Sequence, residues 1–308
     1  MKQHTLKKNT ALASLTLGAL ALGATGCAST GAEASGEASA TCPDGKIRFG
    51  ILPYEDPERL EPAYQVLAEA LSEKLDCPVE VTITEDYSAE VLAMENDSLE
   101  IAQFGPLGFV FASERAGAVP LASFGDAEGQ PTTYTGGIWV PKDSDIETID
   151  DLPGRTLALG SPGSTSGDAL PMSALAEAGI EDEVTADYAG GHPEALLALV
   201  NGTVDAAQIN SQTLATAEAE GTFDASEYRQ IWESEEIPND PITVRDNLPQ
   251  EFKDAVEEAL LSLDAEDVEQ VSAFLGVDPA GPLIPVTVET YQPLFDLAET
   301  MGLTEEDV

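Results

Sequence analysis

Three consecutive hydroxyl side chains, Ser164, Thr165 and Ser166, lie in the segment Ser-Pro-Gly-Ser-Thr-Ser-Gly at 161–167. The segment follows a short apolar run and precedes a helical pattern. The first N–H groups of a helix lack partners within it, and its dipole is positive at that end, so a helix start suits an anion. Hydroxyls add donors without adding charge. A simple N-cap is the alternative interpretation, because Ser and Thr are preferred caps.

Three other segments also join a short apolar run to a helical pattern: Asp86-Tyr87-Ser88, Gly105-Pro106 and Gly191-His192-Pro193. Proline is preorganised for the first helical position, and ligands of open α/β sheets bind at the carboxyl ends of the strands. Together the four segments predict a cleft that holds a small anion. Pro171 lies past the first turn after Ser164, so that helix is expected to kink or to begin late.

The alternation of short apolar runs with helical patterns predicts βαβ units, hence parallel sheets with helices on both faces and an α/β fold. Strands are expected at 46–52, 79–84, 100–104, 156–160, 184–188 and 204–209, and helices at 57–75, 87–97, from 106, up to 178, at 193–201, at 211–219 and from about 249. Residues 44–308, about 265, exceed one comfortable core, which favours two domains.

The domain boundaries are predicted from two stretches rich in Gly, Pro and acidic residues, 125–135 and 233–242, which are expected to cross between the domains. Lobe 1 is then 45–130 with 240–308, and lobe 2 is 131–239. Two α/β lobes joined by two crossings would enclose a ligand cleft between them.

The N-terminus has the features of a secretory signal. Three lysines precede a charge-free apolar run, 11–24, that is too short to span a bilayer. The ending Ala24-Thr25-Gly26-Cys27 resembles a bacterial lipobox, which implies cleavage before Cys27 and lipid on that residue. An ordinary signal is the alternative, because Leu is missing from its usual place. Residues 28–44 are expected to be a flexible tether that holds the protein at the outer face of the cell membrane, with the lipid as its membrane contact.

Charge excludes nucleic acid as a partner. All 57 acidic residues lie beyond Cys27, against 13 − 3 = 10 basic ones, so the chain without its signal would carry 10 − 57 = −47. Phosphate backbones need basic surfaces. The acidic residues are spread over predicted helix faces and are expected to be solvated.

The two remaining cysteines, Cys42 and Cys77, each lie just before a predicted strand. If the strands are parallel neighbours, both cysteines lie at one edge of the sheet and should form a disulfide in an oxidising compartment. No metal site is expected, because His192 is the one histidine beyond the signal and no ligand cluster surrounds a cysteine.

Over roughly 46–300 the sequence resembles the phosphate/phosphite/phosphonate-binding proteins of ABC importers. The resemblance lies in the segments already quoted, in Phe104-Gly105-Pro106-Leu107, in the run from Gly191 to Ala206, and in Glu236-Ile-Pro-Asn-Asp-Pro241. It implies a periplasmic-binding-protein fold of type II, without a cofactor. It also implies capture of a small phosphorus oxyanion and its delivery to a permease with a cytoplasmic ATPase.

The resemblance also implies site residues. Ser164, Thr165 and Ser166 match the loop that holds the phosphorus oxygens, Tyr87 matches an aromatic hydroxyl donor, and His192 matches the family histidine. Asn210 replaces the acidic residue expected of aminoalkyl-phosphonate binders, and Phe109 lacks a hydroxyl that some relatives have. The positions expected to bind ligand are Tyr54, Tyr87, Gly105, Pro106, Ser164, Thr165, Ser166, His192 and Asn210.

Three functions compete. The first is a binding lipoprotein for a phosphorus oxyanion, expected to be a monomer. The second is a secreted hydrolase that uses a Ser164–His192 pair, although no Gly-x-Ser-x-Gly elbow or phosphate-binding Gly-rich loop with lysine is present. The third is a ligand-sensing lipoprotein of the same fold, which the sequence does not separate from a transport protein.

Overall fold

The computed structural model describes residue 39 and residues 41–304. The predicted signal at 1–27, its lipidation residue Cys27 and the first part of the predicted tether lie outside the described residues. Among the residues that are described, no helix is both long and apolar enough to cross a membrane.

The helices follow the expected order. They are α1 (Pro57–Leu75), α2 (Tyr87–Glu95), α3 (Pro106–Ala116), α4 (Leu170–Ala178), α5 (His192–Val200), α6 (Ser211–Glu220), α7 (Gln250–Leu261), α8 (Ala265–Phe274) and α9 (Gln292–Met301). A π-helical turn, Thr165–Ala169, leads into α4, and short 3-10 turns lie at Ile149–Asp151, Glu181–Glu183, Ala225–Glu227 and Val288–Tyr291.

The strands form two large sheets and one short pair. They are β1 (Ile47–Ile51), β2 (Val79–Ile83), β3 (Ile101–Gln103), β4 (Ala118–Asp126), β5 (Thr133–Tyr134), β6 (Gly137–Pro141), β7 (Thr156–Leu159), β8 (Thr185–Tyr188), β9 (Ala206–Gln208), β10 (Tyr228–Glu233), β11 (Ile237–Pro238), β12 (Ile242–Arg245) and β13 (Ala280–Pro285). The sheet orders are β13-β4-β12-β3-β1-β2 and β10-β6-β9-β7-β8, and β11 pairs with β5.

The sheets are mixed, so the expectation of parallel sheets holds for three strands of each sheet and not for the others. Strands β2-β1-β3 and β8-β7-β9 run parallel, as the βαβ pattern requires. Strands β12, β4 and β13 are antiparallel to their neighbours in the first sheet, and β6 and β10 are antiparallel in the second. The reason is the path of the chain: β12 returns from the second sheet and enters the first between β3 and β4, running opposite to both.

The two crossing segments lie side by side, because β5 and β11 pair antiparallel with Tyr134 opposite Ile237. The carboxyl ends of the parallel strands in both sheets are thereby held near one another. This arrangement supplies the cleft in which the candidate site lies.

Helix α1 shows how local sequence and packing agree. Asp56 accepts a bond from the Glu58 N–H at 2.9 Å, Pro57 occupies the first turn, and the helix ends at Asp76 in the left-handed conformation. Buried residues recur at helical spacing from Leu60 to Leu75. They share one core with β1, α7 and α8, so α7 and α8 pack on the same face of the first sheet as α1, whereas α9 packs with α2 and α3 in a second core.

A disulfide joins Cys42 and Cys77, with the Cα atoms 5.6 Å apart, as expected from the sequence. Strands β1 and β2 are parallel neighbours with Ile47 opposite Val79, so the residues just before each strand meet at one edge of the sheet. Both cysteines are buried.

We predict that replacing Cys42 and Cys77 together by Ala lowers the free energy of unfolding by about 3–4 kcal/mol, because the bond closes a loop of 35 residues in the unfolded chain. Denaturant unfolding of the oxidised protein and the double variant measures the difference. A reductant should destabilise the parent and leave the variant unchanged. Equal stability of the two oxidised proteins would contradict the prediction.

Candidate functional site

Five helices begin at one small cavity. The residue that caps or opens each helix lines it: Tyr87 for α2, Gly105 for α3, Ser164 and Thr165 for the π-turn and α4, His192 for α5, and Asn210 for α6. First-turn N–H groups lack partners within their own helix, and helix dipoles present partial positive charge there. The cavity therefore collects positive potential without a cation.

The hydroxyl loop is held by bonds in three directions. Ser164 caps the π-turn by accepting a bond from the Gly167 N–H at 3.1 Å. Thr165 Oγ1 accepts a bond from the Leu107 N–H at 2.9 Å, which links the loop to the start of α3. Ser166 Oγ lies 3.3 Å from the donating Asn210 Nδ2. All three hydroxyl residues are buried.

The helix after this loop begins late, as Pro171 predicts. The π-turn occupies Thr165–Ala169, and Pro171 then lies in the first turn of α4, where its missing N–H costs nothing. Asp168 supports the loop from behind: its carboxylate accepts bonds from the Gly163 N–H at 2.9 Å and from the Tyr188 hydroxyl at 2.7 Å.

His192 lies between the loop and β9. Its Nε2 is 3.3 Å from Ser164 Oγ, and its Nδ1 is 3.1 Å from Gln208 Oε1. Burial lowers the pKa of His192 to about 4, so the ring is neutral near pH 7. The residue behind the ring is an amide, whereas the hydrolytic triad uses a carboxylate to stabilise the imidazolium. This histidine is a poor general base.

A carboxyl group also faces the cavity. Asp240, which follows β11, is 5% exposed, and burial raises its pKa to about 7. Its Oδ2 accepts a bond from Gln103 Nε2 at 3.3 Å. The titratable groups that interact with it electrostatically are Glu90, Tyr54, Tyr64, Tyr87, Tyr134 and Tyr291.

Three tyrosines line the cavity as neutral phenols. Burial raises the pKa of Tyr54, Tyr87 and Tyr134 above the ordinary value near 10. The Tyr54 hydroxyl is bonded to that of Tyr64 at 3.0 Å, which orients it. Phenol hydroxyls can donate to an oxyanion without adding charge.

The cavity is small and lacks basic side chains. No lysine or arginine is among the described residues that line it, whereas two acidic residues, Glu55 and Asp240, are. Its volume is about 20 Å³, and roughly 10–15 Å³ on this measure holds one water molecule. Gly105 keeps it open, because a Cβ there would lie 3.3 Å from Leu52 and 4.0 Å from Thr165 Oγ1. The enclosed space therefore corresponds to one or two water molecules.

The structure brings seven of the nine predicted positions to the cavity wall, namely Tyr54, Tyr87, Gly105, Ser164, Thr165, His192 and Asn210. The other two, Pro106 and Ser166, are buried directly beside it. Phe109 points into the core, where its ring packs edge-on against Tyr291.

Sequence reasoning did not assign Asp240, Tyr134 or Gln212 to the site, and all three line it. The sequence could have indicated Asp240, because it lies in the motif from Glu236 to Pro241, which the sequence already predicts to cross between the lobes. Tyr134 and Gln212 carry no local signal, since the pairing of β5 with β11 and the docking of α6 bring them there.

Two α/β sheets, two paired crossings and a cavity at the strand ends define a two-lobe binding protein of the type II periplasmic-binding-protein fold. Residues 49–291 match the family described as "ABC transporter, phosphonate, periplasmic substrate-binding protein". The chain belongs to this family of extracytoplasmic, non-enzymatic binding proteins.

Individual relatives agree. The chain is 30% identical to the phosphonates-binding periplasmic protein of Escherichia coli over 68% of its own length and 64% of that protein, so it spans slightly less than two thirds of that relative. It is 28% identical to the phosphate-import protein PhnD of Mycolicibacterium smegmatis over 68% of each. The structure of PhnD1 from Prochlorococcus marinus with methylphosphonate has a TM-score of 0.73 at 19% identity, covering 86% of this chain and 99% of that one.

Proposed function

We propose that the protein captures a small phosphorus oxyanion, namely phosphite, a phosphonate or phosphate, and delivers it to an ABC permease driven by a cytoplasmic ATPase. The ligand lies between lobe 1 (45–130 with 240–308) and lobe 2 (131–239). The similar proteins named for phosphonates, for phosphate import and for a methylphosphonate complex support this ligand class.

The convergence of five helix starts and the hydroxyl loop on a cavity without lysine or arginine carries the proposal. A tetrahedral oxyanion presents acceptors in several directions, and donors approach this cavity from both sheets. Hydrogen bonds to a charged group contribute about 1.5–3 kcal/mol each. Several such bonds hold an anion without a salt bridge.

Each predicted residue has a place in this proposal. The hydroxyls of Tyr54, Tyr87, Ser164 and Thr165 donate to the phosphorus oxygens, together with His192. Gly105 and Pro106 set the start of α3 against the ligand, while Ser166 and Asn210 hold the loop through their mutual bond.

Binding and closure are coupled in the proposal, because contacts already span the two sheets. The Leu107 N–H bonds to Thr165 at 2.9 Å, and the Arg59 guanidinium forms an ion pair with Glu220 at 2.8 Å. A ligand in contact with both sides adds to the bonds that hold them together.

Asp240 requires one proton in the complex. A carboxylate next to a bound anion is repelled, so a proton is shared between Asp240 and a ligand oxygen. The two groups then titrate as a coupled pair, whose apparent pKa values belong to the pair and not to either group alone. The complex therefore holds one proton that the separate dianion and the ionised Asp240 carboxylate do not carry.

We also propose that Cys27 carries lipid, which anchors the protein to the outer face of the cell membrane. The lipobox-like ending Ala24-Thr25-Gly26-Cys27 and the tether-like composition after it support the anchor. A lipid at Cys27 would hold the binding lobes at the membrane that contains the permease.

We predict that calorimetry detects binding of methylphosphonate, phosphite or phosphate, and that Thr165→Val weakens it ten- to a hundredfold. The variant keeps the shape of the side chain and removes the hydroxyl, which in the proposal donates to the charged ligand, a bond of about 1.5–3 kcal/mol, and which in the structure accepts the bond from the Leu107 N–H. Thr203→Val is the matched control, because Thr203 lies away from the cavity and bonds to the Ala198 carbonyl. Folded protein that binds none of the three anions would refute the proposal.

We predict that affinity for methylphosphonate falls with rising pH more steeply in the parent than in Asp240→Asn. Below about pH 7 Asp240 is largely neutral in the free protein, and above it the carboxylate must take up a proton on binding. One proton corresponds to about tenfold per pH unit. Both proteins bind the same ligand, so the ratio of the parent affinity to the Asp240→Asn affinity at each pH cancels the effect of the ligand's own protonation. A ratio that stays constant from pH 6 to 9 would exclude this role.

We predict that radiolabelled palmitate appears in the parent protein and is absent from Cys27→Ser in bacterial cells. Cys27→Ser should still bind the anion, because Cys27 lies outside the binding domain. Release of unlabelled parent protein into the medium would show that the signal is an ordinary one.

A further inference from the structure

Two buried glutamines occupy equivalent places in the two sheets. Gln103 ends β3 in Ala-Gln-Phe-Gly, and Gln208 ends β9 in Ala-Gln-Ile-Asn. Each strand has a parallel neighbour on one side and an antiparallel neighbour on the other. Both side chains are 0% exposed. The repeated motif therefore places one amide behind the cavity on each side.

Each amide contacts one titratable residue of the cavity and leaves its other polar atom unused. Gln103 Nε2 donates to Asp240 Oδ2 at 3.3 Å, and Gln208 Oε1 lies 3.1 Å from His192 Nδ1. Gln103 Oε1 and Gln208 Nε2 have no hydrogen-bond partner among the described residues. Buried polar atoms without partners are costly, so two of them at matching positions call for an explanation.

The orientation of the Gln208 amide determines which nitrogen of the His192 ring carries the proton. With Gln208 Oε1 at Nδ1, that nitrogen carries the proton, and Nε2 presents a lone pair toward Ser164 and the cavity. A lone pair repels an anion. A half-turn of the Gln208 amide places its unused NH2 group at Nδ1, which then accepts, and the proton moves to Nε2, where it can donate to the ligand.

The Gln103 amide decides which oxygen of the Asp240 carboxyl group carries the proton. Gln103 donates to Oδ2, so a proton on the neutral carboxyl resides on Oδ1, the oxygen that Gln103 does not contact. The donated bond also favours the ionised form, since it stabilises the charged oxygen. Gln103 thus controls both the position of the proton and the pH at which it is lost.

We propose that Gln103 and Gln208 are paired positioning residues, one in each sheet. The Gln103 amide places a proton on Asp240 Oδ1, and the Gln208 amide keeps the proton of His192 on Nδ1 in the free protein and, after a half-turn when the ligand binds, on Nε2, so that both side chains donate to the bound anion. The proposal rests on the proposed function for its ligand. It adds a basis for specificity: the site selects an anion rich in hydrogen-bond acceptors, because the two buried amides make Asp240 and His192 donors toward the ligand.

Nitrogen-15 NMR of His192 in the full-length parent protein tests the histidine arm. The chain has two histidines, and loss of signals in His192→Gln identifies those of His192. We expect the Nδ1–H tautomer in the free protein and the Nε2–H tautomer with saturating methylphosphonate. The same tautomer in both states would overturn the proposal.

Gln208→Met removes the amide at similar volume. We expect the Nδ1–H preference of the free protein to disappear and the affinity for methylphosphonate to fall three- to tenfold, the value of one ordinary hydrogen bond. Gln130→Met is the matched control, because Gln130 is exposed. The free-state tautomer is measurable even if no anion binds, so failure of the proposed function and failure of this inference are distinguishable. An unchanged free-state tautomer in Gln208→Met would overturn it.

Gln103→Met tests the second arm through the pH profile of affinity. We expect its midpoint to lie above the parent value, because the carboxylate loses a stabilising donor. A merely structural role would weaken binding equally at every pH and leave the midpoint in place, and that result would overturn the assignment of Gln103.

Discussion

An anion held without a cation depends on dipoles and hydrogen-bond donors, and these act only at short range. The backbone must bring them to the ligand, because only the first turn of a helix has N–H groups without a partner in the helix. Tyr87, Gly105, Ser164, His192 and Asn210 each mark such a start. The rest of the fold, with its two sheets and paired crossings, keeps these five positions within reach of one small ligand.

The same constraint explains how a strongly acidic protein can hold an anion. The formal charge of −44 acts over a screening length of about 10 Å at 0.1 M salt. The donors of the cavity act at about 3 Å in a buried environment where hydrogen bonds are stronger than in water. Neutral tyrosines, a neutral histidine and an Asp240 carboxyl with a pKa of about 7 limit the charge of the cavity wall, and burial also raises the pKa of Glu55, the second acidic residue there.

Local sequence predicted what depends on local structure. The hydroxyl loop, the proline-marked helix starts and the parallel strands are set by neighbouring residues, and the disulfide follows from two adjacent parallel strands. Return strands such as β12 were missed because their pairing partners are far away in the chain. Asp240 and Tyr134 reach the cavity through those crossings, so no local pattern marks them. Gln103 and Gln208 share a local motif, but only the folded structure brings their amides to Asp240 and His192.

Thr165 joins the two requirements of a binding protein, selectivity and closure. Its hydroxyl oxygen accepts a bond from the first turn of α3, and its side chain also interacts with the Tyr134 hydroxyl; in the proposed complex the hydroxyl donates to a ligand oxygen. When a ligand oxygen accepts a hydrogen bond from this hydroxyl, the electron density on Thr165 Oγ1 increases. The bond that the Leu107 N–H donates to Oγ1 then becomes stronger, since linked hydrogen bonds polarise one another. In the proposed complex, a site built from linked hydroxyls and amides therefore tightens across the cleft through the same atoms that contact the ligand, which an isolated lysine would not do.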